Sequence, residues 1–340
     1  MRGATRVLAC AAVVAVLAGG GRWATAHPRD DDRPPRHHGL AAAYEWHEAG
    51  QLGRREARER LRFLQRRGFE TVYLSLGLYL DAADQPPSRE RRARLRELRR
   101  QLRHYVADAS RLGLAVHAVG GGPTWTQEPL RYLGSLLVEV VADYNARVDP
   151  WERLDGVQLD IEPYALPGFF DDEQQSLLAY LDTLQSIVRT WRRVARRLEL
   201  GFAVPFWFDA RGASPGPVPF RGATKPAIHH VIDLLEDHRR AYLVVMSYRN
   251  FAHGADGSVA HARDEFAYAR SVGAECGLVV GQQFADVQPP KVTFHGLDRG
   301  DFERAAERIV EAFGRSPQFR GLAVDDLDGY RAVWERVAAA

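Results

Sequence analysis

The chain has 340 residues, of which 46% are hydrophobic and 26% charged, and its formal net charge is +2. This is globular composition, which excludes a disordered or fibrous chain. The near-neutral balance argues against a nucleic-acid surface, which carries a strong basic excess. The length allows one large domain or two average ones.

Residues 1–26 read as a signal peptide. Arg2 and Arg6 precede a short apolar core, VLACAAVVAVLAG, and Ala24–Ala26 form a small-x-small cleavage site. The apolar run is too short for a stable membrane span, so secretion after cleavage behind Ala26 is expected. The alternative is a lipid anchor on Cys10, for which VLAC is a loose match with little apolar chain before it. Residues 27–38, HPRDDDRPPRHH, are polar, Pro-rich and aperiodic, as in a disordered tether, and His37 and His38 are read as tail residues. With Cys10 in the leader, Cys276 has no disulfide partner. Its setting, AECGLVV, suits a small buried hydrophobe.

From residue 39 to 340, short apolar runs alternate with helical patterns. The runs are 39–46, 71–80, 114–122, 156–162, 200–208, 241–248, 277–284 and 320–327. Alternation of this kind predicts an α/β fold with a parallel sheet. Eight such units predict a single-domain (β/α)8 TIM barrel. An open doubly wound sheet would need a Gly-rich nucleotide turn after the first strand, and AYEWHEAG has none. The Arg-rich stretches carry Leu61, Phe63 and Leu64, and Leu95, Leu98 and Leu102, at helical spacing among Glu residues. They are expected to form outer helices with solvated faces.

The fourth run, LDGVQLDIEPY, carries the chemistry. With period two, Val157, Leu159 and Ile161 fall on one side and Gln158, Asp160 and Glu162 on the other. Successive residues on one face lie about 6.7 Å apart. Glu162 is therefore expected at the barrel rim, where active sites of this fold form, with Asp160 one step deeper. Burial and a neighbouring like charge both raise a carboxyl pKa. Glu162 is expected to hold a proton for donation to a glycosidic oxygen, and Asp160 to stay ionised and stabilise positive charge.

The stretch DGVQLDIE resembles the fourth-strand motif D-G-x-D-x-D-x-E of glycoside hydrolase family 18, the chitinase family. Asp155, Gly156, Asp160 and Glu162 match, and Gln158 replaces the central Asp. The resemblance implies that Glu162 protonates the leaving oxygen. It implies that Asp160 orients the substrate's own N-acetyl group for attack on the sugar carbon, a substrate-assisted route. It also implies that Tyr248, in Met246-x-Tyr248, holds the N-acetyl carbonyl. The eighth strand of that family places a Trp under the sugar; here the residue is Asp325. Trp207 or Trp46 is an alternative platform, and Gln158, Glu45, Asp325 and Gln282 complete the candidate substrate-binding set.

The expected partner is an N-acetylated glycan, with chitin and peptidoglycan both compatible. No cofactor or metal is expected: His117 lacks a second inward His, and neither HxH nor HExxH occurs. Two alternatives stay open. A retaining glycosidase would need a second carboxylate within about 5.5 Å of Glu162, from Glu45 or Asp325, because Gln282 and Gln283 stand where the nucleophile belongs. A secreted carbohydrate-binding barrel without turnover would need only the aromatic and polar rim.

Overall fold

The structure, a computed structural model, describes residues 39–209 and 215–336. The expected leader, the tether and Cys10 lie outside these residues. The described residues form ten strands: β1 (Leu40–Glu45), β2 (Thr71–Ser75), β3 (Ala115–Gly120), β4 (Gly156–Leu159), β5 (Glu199–Pro205), β6 (Val218–Phe220), β7 (Ala223–Lys225), β8 (Ala241–Met246), β9 (Gly277–Gln283) and β10 (Phe319–Asp325). Eight of them close a parallel barrel in the order β1-β2-β3-β4-β5-β8-β9-β10, with β10 paired back to β1. β6 and β7 form a separate antiparallel hairpin between the fifth and sixth barrel strands. The fold is the expected (β/α)8 barrel.

Helices cover the outside because their apolar stripes match the outward side chains of the strands. In α1 (Arg54–Arg67), Leu61 and Leu64 are buried among arginines; in α3 (Arg89–Arg111), Leu98 and Leu102 are. Gly68 ends α1 in the left-handed region, at φ 82°, which glycine adopts without a Cβ clash. Two apolar runs end as strands earlier than expected. In 71–80 the strand stops at Ser75 and the chain turns into α2 (Gly77–Asp84). Tyr79, near the end of that run, is a buried residue of this helix. A short apolar run reads alike as strand or buried helix, and the sheet partner decides. In 156–162 the ladder stops at Leu159, with one further bond from the Asp160 amide to the Gly120 carbonyl, at 3.0 Å.

The barrel lumen is filled rather than hollow. Ala42, Tyr44, Tyr73, Val119, Ala203, Tyr242, Val244 and Met246 pack inside it. Tyr73 and Tyr242 stack at 5.9 Å, and the Tyr242 hydroxyl shares a 2.8 Å hydrogen bond with His117 Nδ1. Gly201 of β5 is what admits this layer. A Cβ there would lie 2.0 Å from Gln158 Oε1 and 2.2 Å from the Tyr242 ring.

Candidate active site

The period-two reading of β4 holds. Val157, Leu159 and Ile161 are buried in the layer between sheet and helices, and Gln158 points into the lumen, where its Nε2 donates to the Tyr44 hydroxyl at 2.9 Å. Asp160 and Glu162 follow directly after the strand, at its C-terminal end. A close approach of β3 sets this exit: a Cβ on Gly121 would lie 2.0 Å from the Asp160 carbonyl oxygen. The short turn Pro163–Ala165 then brings Tyr164 back, and its hydroxyl donates to Glu162 Oε1.

Asp160 is the strained member of the acid pair. Its Oδ1 is enclosed and has no hydrogen-bond partner among the described residues. Burial pushes its pKa well above the carboxylate range, and the charges of Glu162 and Asp325 push the same way. This direction runs against the expectation that Asp160 stays ionised. The deeper carboxyl loses more hydration and faces two like charges, so it is held toward its neutral form.

Asp325 closes the opposite side. Its Oδ1 accepts from Trp46 Nε1 at 2.8 Å, and its Oδ2 accepts from Gln283 Nε2 at 2.9 Å and from the Tyr248 hydroxyl at 3.3 Å. Burial raises its pKa, and the donors from Trp46, Gln283 and Tyr248 work against that rise. Tyr248 is thus tied to the residue that stands in place of the expected Trp. Burial, followed by the Asp325 charge, holds its phenol well above the ordinary range, so it remains a donor.

Aromatic rings flank the acids. Trp46, 42% exposed, stacks on Tyr44 at 5.4 Å with its plane tilted by 18°. Trp207, half-buried in the turn after β5, meets Tyr164 edge-on at 5.2 Å and lies 6.4 Å from Phe170, which is 65% exposed. Trp125 sits in the short turn Pro123–Thr126 and is buried there.

Two candidates lie outside this group. Glu45 is fully buried and turned toward α1, where its Oε1 accepts from Arg60 Nη2 at 2.9 Å. Tyr44 faces the lumen, and alternation along β1 sends the next side chain outward. Glu45 is therefore removed as a second catalytic carboxylate. Gln282 is also turned outward; its Nε2 donates to the Gly281 carbonyl at 2.7 Å and to Ser258 Oγ at 3.2 Å. Its neighbour Gln283 takes the inward place. Tyr164 and Phe170 were missed by sequence reasoning. The signal for Tyr164 was the spacing Glu-Pro-Tyr, since a turn begun by proline returns residue i+2 toward residue i.

A recess between the β6–β7 hairpin and α6 (Ala227–Leu235), lined by Phe220, Arg221, His230 and Asp233, shares no residue with the acids. Among the described residues, no helix is long and apolar enough to cross a membrane.

The fold and the rim define a closed (β/α)8 barrel with carboxylates gathered at the C-terminal ends of its strands. No protein-family model matches the sequence, and a search of curated proteins found no match. Among solved structures the chain is similar to a GH18 chitinase from Pseudoalteromonas aurantia, at TM-score 0.52 and 11% identity, over 88% of this chain and 98% of that one. It is also similar to the endo-beta-1,4-mannanase from Thermotoga petrophila, at TM-score 0.53 and 8% identity, over 84% of this chain and 67% of that one. At these identities the likeness is one of fold.

Proposed function

We propose that the protein is a glycoside hydrolase that cleaves a glycosidic bond in an N-acetylated glycan, with Glu162 as the general acid. The observation that carries this reading is the Asp160–Glu162 pair at the end of β4, at the mouth of a closed barrel. Glu162 gives its proton to the leaving oxygen as the bond to the sugar carbon breaks, and the N-acetyl oxygen of the same sugar attacks that carbon. The Asp160 charge is disfavoured at rest by burial, Glu162 and Asp325. It is offset by the positive charge that builds on the sugar, so its contribution is larger in the transition state than in the ground state. The Tyr248 hydroxyl, now on Asp325 at 3.3 Å, is the donor proposed for the N-acetyl carbonyl. Trp46 and Trp207 supply stacking surfaces. An export leader at residues 1–26 would deliver such an enzyme to extracellular glycans.

A binding barrel without turnover is the second reading. It is favoured by Gln158, whose amide is committed to Tyr44, and by Asp325 in place of an aromatic floor. The deciding experiment is a screen of N-acetylated glycans for reducing-end release, run beside Glu162→Gln. Cleavage lost in the variant supports the hydrolase. Equal binding by both proteins with no cleavage supports the binding barrel.

A further inference from the structure

We propose that Tyr164 is a positioning residue for the acid: its hydroxyl occupies Glu162 Oε1, leaving Oε2 to carry the proton that is transferred. The inference rests on the reading of Glu162 as the acid. Its basis is the donor bond from Tyr164 to Oε1, which among the described residues is the side-chain hydrogen bond that Glu162 makes.

The local chain dictates this geometry. Pro163 starts a tight turn in which the Ala165 amide bonds to the Glu162 carbonyl at 3.1 Å. Tyr164 thereby comes back over the carboxyl two residues before it. Its ring is then fixed edge-on by Trp207 at 5.2 Å and by Phe208 at 6.3 Å. A two-bond side chain with its ring held on two sides has little rotamer freedom left to lose, so the hydroxyl is pre-placed.

The groups that face Glu162 are Asp160 on its own segment, Tyr164 in the following turn, Tyr180 from α5 (Glu173–Val194) and Tyr248 after β8. A donor fixed on Oε1 fills that oxygen and leaves Oε2 as the free position on the carboxyl. Tyr164 therefore fixes which carboxyl oxygen faces the leaving group. In the transfer itself, the proton leaves Oε2 for the glycosidic oxygen as that oxygen's bond to the sugar carbon breaks. Tyr164 keeps its own proton, and its bond strengthens as the carboxylate forms. Burial and the Glu162 charge hold the Tyr164 phenol above its ordinary range, so it remains a donor.

The test does not need turnover. In protein labelled with 13C at the Glu side-chain carboxyls, the Glu162 signal is assigned by its absence in Glu162→Gln and titrated. In Tyr164→Phe, which keeps the ring contacts, the midpoint should rise by about one to two pH units, the equivalent of one hydrogen bond to a charged group. With 3-fluorotyrosine at position 164, a stronger donor, it should fall. These opposite shifts support the proposal, and the fluorinated protein decides alone if Tyr164→Phe does not fold. A midpoint unchanged by the substitutions overturns it. Where a cleaved glycan is in hand, Tyr164→Phe should lower kcat by about tenfold to a hundredfold with KM nearly constant and move the pH profile upward. Failure to find a cleaved glycan would count against the hydrolase reading and leave the carboxyl titration to judge Tyr164.

Discussion

Trp46 Nε1 donates to Asp325 Oδ1 at 2.8 Å, joining residues 279 positions apart in sequence. The bond crosses the seam where β10 meets β1 and the barrel closes. Gln283 and Tyr248 donate to the other oxygen of the same carboxylate. Asp325 therefore organises three donors from three different strand ends. Asp325→Ala would leave all three without their acceptor. We expect a loss of about 1–3 kcal/mol in unfolding free energy, the cost of unsatisfied donors that are partly shielded from water. Denaturant titration measures this, and a Trp46 fluorescence change should accompany it. An unchanged midpoint would mean that water replaces the carboxylate freely.

The acid assignment makes the sharpest functional prediction. Glu162→Gln keeps shape and removes the transferable proton. Turnover should fall by about two to four orders of magnitude while glycan affinity persists, because positioned proton transfer contributes that much. Single-turnover rates and equilibrium binding separate the two effects. Turnover within threefold of the native protein would assign the acid elsewhere.

Asp160 gives a stability prediction with a definite sign. Its folded pKa lies well above the ordinary value of 3.8, so its contribution to folding is fully present below that value and is lost as pH rises through the raised one. Asp160→Asn cannot ionise and escapes the loss. Its Tm relative to the native protein should therefore climb between pH 3 and pH 7. A Tm difference independent of pH would show that the Asp160 charge is not penalised in the fold.

Glu45 and Arg60 make a buried pair, with side-chain exposures of 0% and 4%. Arg60→Met leaves a buried carboxylate without its counter-charge, and unfolding free energy should drop by about 3–5 kcal/mol. Since the pair lies on the α1 side of β1, turnover per folded molecule should not change. A selective loss of turnover would restore Glu45 to the catalytic group.

The barrel was legible in the sequence because a strand buried on both faces writes itself as an apolar run, and eight such runs separated by helical patterns admit few topologies. The acid pair was legible because alternation along β4 is a local property: Val157, Leu159 and Ile161 must share one face, and Gln158 and Asp160 the other. Local pattern could not say which neighbours those faces meet. Glu45 and Gln282 stood at strand ends like the true rim residues, yet the pleat turned them toward Arg60 and Ser258. Asp325 was noticed as a departure from a motif, but its three donors come from β1, β8 and β9 and meet only when the barrel closes. The upward push on the Asp160 pKa likewise comes from tertiary structure, since hydration and like charge depend on what surrounds a carboxyl in space. Sequence spacing carries the direction in which a side chain leaves the backbone; the closed barrel determines what it encounters.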